Sequence, residues 1–236
     1  MKNKYFGDLK DLFKYDLMLA VCQGCGINKV TFIPMLTKDD SKKEGLDTNY
    51  IKARAEGRPG TENKELMHFL MRKILLEDRH VRHIEDYFAG ENIGMYIHCK
   101  ETTDFSNANR ADYFKTVLRK CSADSLIFLD PDNGLEVSKP THKHVLFSEV
   151  IEIYKAMKAT SILMIIQFFP RQNHKKYISA RRKELSKRTA SNVAYIADSK
   201  IVFFFLTQNA SLLMKIKSTL NRYCNKYQGT TYWGCE

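Results

Sequence analysis

The sequence predicts a Rossmann-like α/β fold, in which a mostly parallel sheet carries helices on both faces and ends in a C-terminal antiparallel hairpin. Segments with the apolar spacing of helices alternate with short strand-like runs, as expected of parallel strands joined by helices. The runs at 125–130 and 161–167 are apolar almost throughout, which is typical of strands covered on both faces. The runs at 193–196 and 201–206 are close together and predict the hairpin.

Each helix is predicted from apolar residues spaced three and four apart, beginning with Leu9, Leu12 and Phe13. Two further strand-like runs lie at 29–34 and 93–99. The predicted helices cover 8–22, 63–76, 111–121, 147–157, 173–187 and 208–227.

The chain is expected to form a single domain, 1–236, because no repeat, low-complexity tract or linker interrupts this alternation. The segment 38–60 is polar and contains glycines, so it is predicted to be a long loop. Long loops in compact domains are usually functional or mobile.

The charge balance predicts a polyanionic partner. The chain has 38 Lys and Arg residues against 27 Asp and Glu residues, a formal net charge of +11. Nucleic acid is the commonest polyanion that such a protein binds. The alternative is a basic protein that has no such partner.

The sequence predicts neither a membrane anchor nor export. The longest apolar run, 161–170, is far shorter than the ~20 residues that a membrane span needs. No apolar stretch follows the N-terminal lysines, and the six cysteines are sparse and irregularly spaced, so reduced thiols in a cytoplasm are expected. The CxxC motif at 22–25 has no second ligand pair, and we interpret it as a helix end with Gly24 and Gly26 as stop signals.

The strongest local signal for chemistry is the run 130–136, Asp-Pro-Asp-Asn-Gly-Leu-Glu, directly after a predicted buried strand. Ligands of parallel sheets bind beyond the carboxyl ends of the strands. A tight turn at Asn133 can aim Asp130, Asp132 and Glu136 into one pocket. These groups would hold a small ligand for alkyl transfer, or the carboxylates would bind Mg²⁺ or Mn²⁺ for phosphodiester hydrolysis. The structural alternative is an Asx turn with solvated acids.

A second motif lies near the N-terminus, where 5–15 reads Tyr-Phe-Gly-Asp-Leu-Lys-Asp-Leu-Phe-Lys-Tyr. Asp8, Asp11 and Lys14 are three residues apart and share one helix face. Asp8 is expected to cap this helix, and Lys14 would meet an anionic group of a ligand. The alternative is a capped helix with ion pairs on its surface.

A third motif of aromatic and basic residues follows the strand at 161–167 and continues into a helix that has a single acid. Aromatic rings there would stack on a base, and the cations would contact phosphate. The alternative is core phenylalanines followed by a solvated basic helix. The predicted nucleic-acid-binding residues are Phe169, Arg171, His174, Lys175, Arg181 and Arg182.

In their order, these motifs resemble the bacterial 23S rRNA adenine-N6 methyltransferases of the RlmJ type. In that family a Gly-Asn…Asp…Lys-His helix precedes the first strand of a class I methyltransferase sheet, and here 7–15 holds Gly-Asp, Asp and Lys-Tyr in that order. The family's Asp-Pro-Pro-Tyr would fall at 130–133. The run 130–136 is also similar to a motif of a group of uncharacterised bacterial and phage proteins.

The resemblance implies a nucleic-acid methyltransferase that uses S-adenosylmethionine. Asp130 would hold the substrate amine, Asp132 and Asn133 would support it by hydrogen bonds, and a base in a duplex would first be flipped out. The expected catalytic residues are Asp130, Asp132, Asn133 and Glu136, and the expected cofactor-binding residues are Asp8, Lys14, Thr37 and Asp39.

Two departures from the family pattern keep other functions open. The run 34–40 replaces the Gly-rich turn that holds the cofactor, and Asp132-Asn133 stands where the family has Pro-Tyr. One alternative is a metal-dependent nuclease or phosphohydrolase, with Asp130, Asp132 and Glu136 on Mg²⁺ or Mn²⁺. The other is a nucleic-acid-binding protein without catalytic activity.

Overall fold

The predicted α/β fold is confirmed. The computed structural model describes residues 1–38, 47–99, 104–121, 123–227 and 230–235. Within these ranges, strands and helices alternate along the chain, and seven strands share one sheet with helices on both faces.

The strands of the described residues are β1 (Lys29–Pro34), β2 (Gly94–Ile97), β3 (Leu126–Asp130), β4 (Gly134–Leu135), β5 (His144–Val145), β6 (Ile162–Phe168), β7 (Ala194–Ala197), β8 (Ile201–Leu206) and β9 (Tyr232–Cys235). The large sheet has the order β2-β1-β3-β6-β8-β7-β9, and β4 and β5 form a separate parallel pair. The four strands from β2 to β6 pair in parallel, whereas β8 pairs antiparallel with both β6 and β7. The predicted hairpin is therefore present, and β9, which the sequence analysis missed, extends it.

The helices are α1 (Leu9–Cys25), α2 (Tyr50–Ala55), α3 (Lys64–Leu75), α4 (Ile84–Gly90), α5 (Arg110–Lys120), α6 (Phe147–Ala156), α7 (His174–Thr189) and α8 (Ala210–Lys226). Six of them match predicted helices within a few residues. Among the described residues, none of the helices is both long and apolar enough to cross a lipid bilayer.

The parallel register brings the carboxyl ends of three strands to one edge of the sheet. Pro34 at the end of β1 lies opposite Asp130 at the end of β3, and β6 runs beside β3 in the same direction. These strands are buried because hydrophobic clusters cover both sheet faces. The polar residues that follow the strands therefore meet at this edge, as the sequence analysis expected.

The apolar spacing of the first helix predicts an amphipathic helix with one solvent-facing side, and this prediction is wrong. α1 is buried on nearly every side, because it packs between the sheet and helices α3 and α8. Its buried acid Asp16 is satisfied there, since the hydroxyls of Tyr223 and Tyr227 donate to it at 2.8 and 3.1 Å and Asn63 donates at 3.0 Å. A polar residue on the outer face of α1 is therefore buried with hydrogen-bond partners and not exposed to solvent.

The prediction of an unbroken loop over 38–60 is also wrong. Within it, α2 spans Tyr50–Ala55, and the side chain of Asn49 caps this helix by accepting the N–H of Lys52 at 3.0 Å. A six-residue helix contains too few turns to show a periodic apolar pattern. Residues 39–46 lie outside the described part of the chain.

The interpretation of the CxxC motif as a helix end is confirmed, although its two glycines act differently. Gly26 ends α1 with a φ of +73°, a left-handed conformation that glycine adopts without strain. Gly24 lies inside α1, where a Cβ would come within 2.2 Å of Thr219 Oγ1 on α8. Burial raises the pKa of the Cys22 thiol to about 12 and that of Cys25 to about 11, so neither is a reactive thiolate at neutral pH.

The Gly24→Ala variant is expected to be less stable than the native protein by about 1–3 kcal/mol, because the added methyl group overpacks the contact between α1 and α8. Urea unfolding followed by circular dichroism measures this difference. Gly90→Ala is the matched control, since its Cβ would meet no atom within 4 Å, and it should leave stability nearly unchanged. An equal response of both variants would show that the helix contact tolerates a methyl group.

Candidate functional site

The three sequence motifs line one cavity of about 670 Å³ at the carboxyl edge of the sheet. Its walls come from the start of α1, the segments that follow β3 and β6, and the first half of α7. The residues named from the sequence that line it are Asp8, Asp11, Lys14, Asp130, Asp132, Asn133, Phe169 and Arg181. This cavity is the candidate functional site.

A buried ion pair lies at the inner wall of the cavity. Lys14 Nζ is 2.7 Å from Asp130 Oδ2 and 2.7 Å from Asp11 Oδ1, and the three side chains are only 4%, 1% and 3% exposed. Burial disfavours the charge of Lys14, but the two carboxylates outweigh it and raise the pKa of Lys14 above its usual range. Lys14 therefore stays charged, and it holds the Asp130 carboxylate against α1.

The capping of α1 explains why further acids lie in this wall. Asp8 Oδ1 accepts the N–H groups of Lys10 and Asp11 at 2.9 Å, so Asp8 caps the helix as predicted. Asp11 Oδ2 accepts the N–H of Gly7 at 3.1 Å. Burial, and next the neighbouring Asp11 carboxylate, raise the pKa of Asp8 to about 7. The cavity thus contains a carboxyl group that titrates near neutral pH.

Asp132 is held by other parts of the chain. Its carboxylate lies 3.2 Å from the Met1 amine and 3.2 Å from Lys143 Nζ, and Thr37 Oγ1 donates to it at 3.1 Å. Burial opposes the charge of Asp132, but the amine and Lys143 outweigh it and lower the pKa of the carboxyl. Asp132 and Thr37 therefore connect the segments that follow β1 and β3, which is a structural role.

The turn after Asp132 depends on a glycine and a glutamine. Gly134 has a φ of +99°, and a Cβ there would lie 2.5 Å from the Gln167 side chain, so glycine is required. Gln167 Oε1 accepts the N–H of Leu135 at 2.8 Å and ties the turn to the end of β6. This role was not predicted from the sequence, although Gln167 interrupts an otherwise apolar strand. Asn133 is left exposed along the cavity.

Glu136 does not join the other acids of its motif. Its Oε2 accepts the N–H of Phe147 at 2.8 Å at the start of α6, and it is absent from the cavity lining. The expected grouping of Asp130, Asp132 and Glu136 is therefore not formed, because the chain turns away after Gly134. In the described part of the chain, no group of three or more His, Cys, Asp and Glu side chains is arranged to hold a metal ion.

Aromatic rings form the wall of the cavity beyond β6. Phe169 lines the cavity and stacks on His174, with ring centres 4.0 Å apart and planes inclined by 9°. Lys10, which the sequence analysis did not single out, lies 5.2 Å from the ring centre of Phe168. Arg181 lines the cavity from α7. The cavity thus combines flat apolar surfaces with cations, which suits an aromatic anionic ligand.

The other predicted phosphate contacts lie outside the cavity. Arg171 and Lys175 are exposed, and neither lines it. Arg182 lies 5.5 Å from the ring centre of Tyr195 on β7. The prediction of a basic helix is nevertheless correct, because α7 carries its cations on solvent-accessible positions next to the cavity.

The end of β1, where the resembled family would hold its cofactor, is tied to neighbouring segments by hydrogen bonds. The fully buried Met35 donates its N–H to the Asp130 carbonyl at 3.1 Å, and the Tyr113 hydroxyl donates to the Pro34 carbonyl at 3.0 Å. The cavity opens between the ends of β3 and β6. Asp39, an expected cofactor-binding residue, lies outside the described residues.

Comparisons with known proteins give a distant structural likeness. No protein-family model matches the chain, and no curated protein matches it. Among solved structures, it is similar to the crystal structure of protein LPL1258 from Legionella pneumophila, of the family-model DUF519, with a TM-score of 0.46 and 10% sequence identity. The match covers 98% of this chain and 96% of that chain. A likeness this distant carries no argument about substrate or activity.

The raised pKa of Asp8 predicts a pH-dependent difference in stability. The folded state holds this proton up to about pH 7, whereas an unfolded chain loses it near pH 4, so the contribution of Asp8 to stability falls as the pH rises between these values. Asp8→Asn keeps a good helix cap and cannot ionise, so it should gain stability relative to the native protein from pH 4 to pH 8.

Denaturant unfolding of both proteins at several pH values measures this gain. Asp112→Asn is the control, because Asp112 is an exposed acid in the first turn of α5. If native and Asp8→Asn proteins show the same pH dependence, Asp8 titrates like a solvated carboxyl group and the expectation is wrong.

Proposed function

We propose that this protein binds nucleic acid at the carboxyl edge of its sheet and methylates a base with S-adenosylmethionine as the methyl donor. The observation that supports this proposal is the shared cavity, which joins the Lys14–Asp130 ion pair to an aromatic wall and a basic helix. The order of these elements is the one that the resemblance to adenine-N6 methyltransferases implies.

The substrate would be a base that has left its stack. The Lys14–Asp130 pair is almost completely buried, so only a group that enters the cavity reaches it. A base in a duplex must be flipped out to do so. Phe169 would stack on the entering base, and the cations of α7 would contact the phosphates outside.

The cavity has room and suitable groups for the cofactor. A volume of about 670 Å³ falls within the range of roughly 300–1,000 Å³ that is usual for ligand sites. Asp8 and Lys14 offer both signs of charge to an amino-acid end, and Phe168 offers an apolar surface. S-adenosylmethionine would supply an activated methyl group there, and it would lie beside α1 and the segments that follow β3 and β6, because these line the cavity.

The chain's own residues would orient the substrate. Asp130 lines the cavity and its Oδ2 accepts from Lys14 Nζ, so its other carboxylate oxygen would accept a hydrogen bond from the amine of a base. Lys14 holds this carboxylate in place, which limits the motion of the bound amine. The exposed amide of Asn133 would add a second hydrogen bond at the cavity.

A second candidate function is nucleic-acid binding without catalysis. One observation favours it: neither Pro34 nor Met35, at the segment where the resembled family would hold its cofactor, lines the cavity. The metal-dependent hydrolase has no comparable support, because Glu136 binds the start of α6 and does not line the cavity with Asp130 and Asp132.

Calorimetric titration with S-adenosylmethionine, together with transfer of a labelled methyl group to single-stranded RNA and DNA, tests the proposal. Asp130→Asn is expected to lower the transfer rate at least ~100-fold, because Lys14 would engage the one remaining acceptor oxygen and the NH2 group would face the substrate amine. Asn133→Ala, at an exposed position, should reduce the rate without affecting folding. Asp124→Asn is the control, because Asp124 is an exposed acid that precedes β3 and so lies at the opposite edge of the sheet.

Binding heat and methyl transfer would support the proposal. Nucleic-acid binding without binding heat from S-adenosylmethionine would overturn the proposal in favour of the second candidate. If the protein binds neither nucleic acid nor S-adenosylmethionine, both candidate functions are wrong. A separate titration with Mn²⁺ measures whether the acids bind a metal.

A further inference from the structure

A second groove lies beside the cavity at the same edge of the sheet. Its volume is about 780 Å³, and it is lined by the start of α7, the turn between β7 and β8, the start of β9, and residues 56–59 after α2. Gln172 lines both the cavity and this groove, so the two spaces adjoin at the segment before α7. We call this second space the flanking groove.

A stacked ring pair separates the two spaces. Phe169 lines the cavity and His174 lines the flanking groove, and their rings stack with centres 4.0 Å apart. Anything that occupies both spaces must therefore pass beside two aromatic faces. A chain of stacked, planar groups joined by a flexible backbone fits that path.

The flanking groove carries positive charge with unused hydrogen-bonding capacity. The Arg58 guanidinium lies 3.8 Å from the Asp47 carboxylate and 3.7 Å from the Asp198 carboxylate. Among the described residues, it donates no hydrogen bond. Lys175 adds an exposed cation and Lys200 adds one that pairs with Asp47 at 2.9 Å, so the cations of the lining exceed its two acids, Glu56 and Asp198. A guanidinium with open donors is well suited to the bidentate recognition of a phosphate.

We propose that the flanking groove binds the phosphodiester backbone of the nucleotides next to the base in the cavity, so that the protein engages a single strand. The proposal rests on the proposed nucleic-acid function and adds the path of the strand to it. A base that enters the cavity leaves its backbone at the mouth, and the adjoining groove is where cations meet that backbone. Contacts to phosphate would bind the strand without regard to its sequence.

Fluorescence anisotropy with labelled, mixed-sequence single-stranded 12-mers of RNA and of DNA tests this path. Lys175→Gln and Arg58→Gln should each weaken binding about fivefold and lower the salt slope by about 0.7. Neither should change competition by a mononucleotide, which occupies only the cavity. Lys64→Gln is the matched control, because Lys64 is also an exposed lysine in the first turn of a helix and it lines a different pocket, not the flanking groove.

Lys175 is exposed, so its variant keeps the test valid if Arg58→Gln loses stability. A loss of 12-mer affinity in both groove variants but not in Lys64→Gln would support the path. Equal affinities of Lys175→Gln and Lys64→Gln would overturn it while native binding still supports the proposed function. If the native protein binds neither 12-mer, the nucleic-acid function itself fails.

Discussion

The geometry of the site depends on the buried contact between Lys14 and Asp130. These residues are 116 positions apart, and their contact joins the first helix to the end of the central strand. Removing such charges from water is costly, and the cost is offset only by close pairing and further hydrogen bonds, which Asp11 supplies. Loss of either partner would leave an uncompensated buried charge, so the helix and the strand are held at one position relative to each other.

Most polar groups around this contact are already engaged by the protein. Asp132 is held by Lys143 and Thr37, and Gln167 is used to tie the turn at Gly134 to β6. Near this contact, the groups that would meet the proposed ligand include Asp130, the exposed amide of Asn133 and the Asp8 carboxyl, whose pKa is raised to about 7. A site with few open polar groups and aromatic walls selects a flat ligand with a small number of hydrogen bonds.

The excess positive charge of the chain is distributed unevenly around this site. α7 carries most of its cations at positions that solvent reaches, and it begins between the cavity and the flanking groove. The inner wall, in contrast, contains acids that outnumber Lys14. An anionic backbone is thus attracted to the outside of the site, while the interior offers hydrogen-bond acceptors to a neutral base.

The sequence by itself determined the order of the elements, the cap at Asp8 and the acidic turn after β3, because periodicity and adjacency along the chain encode local structure. Only the tertiary structure decided which acids meet. Glu136 is four residues from Asp132 yet caps α6, whereas Lys14 contacts Asp130 across 116 positions. The hydrogen bond from Met35 to the Asp130 carbonyl likewise joins segments that are far apart in the sequence. Such outcomes depend on long-range burial and on competition for hydrogen-bond partners, which no local pattern records.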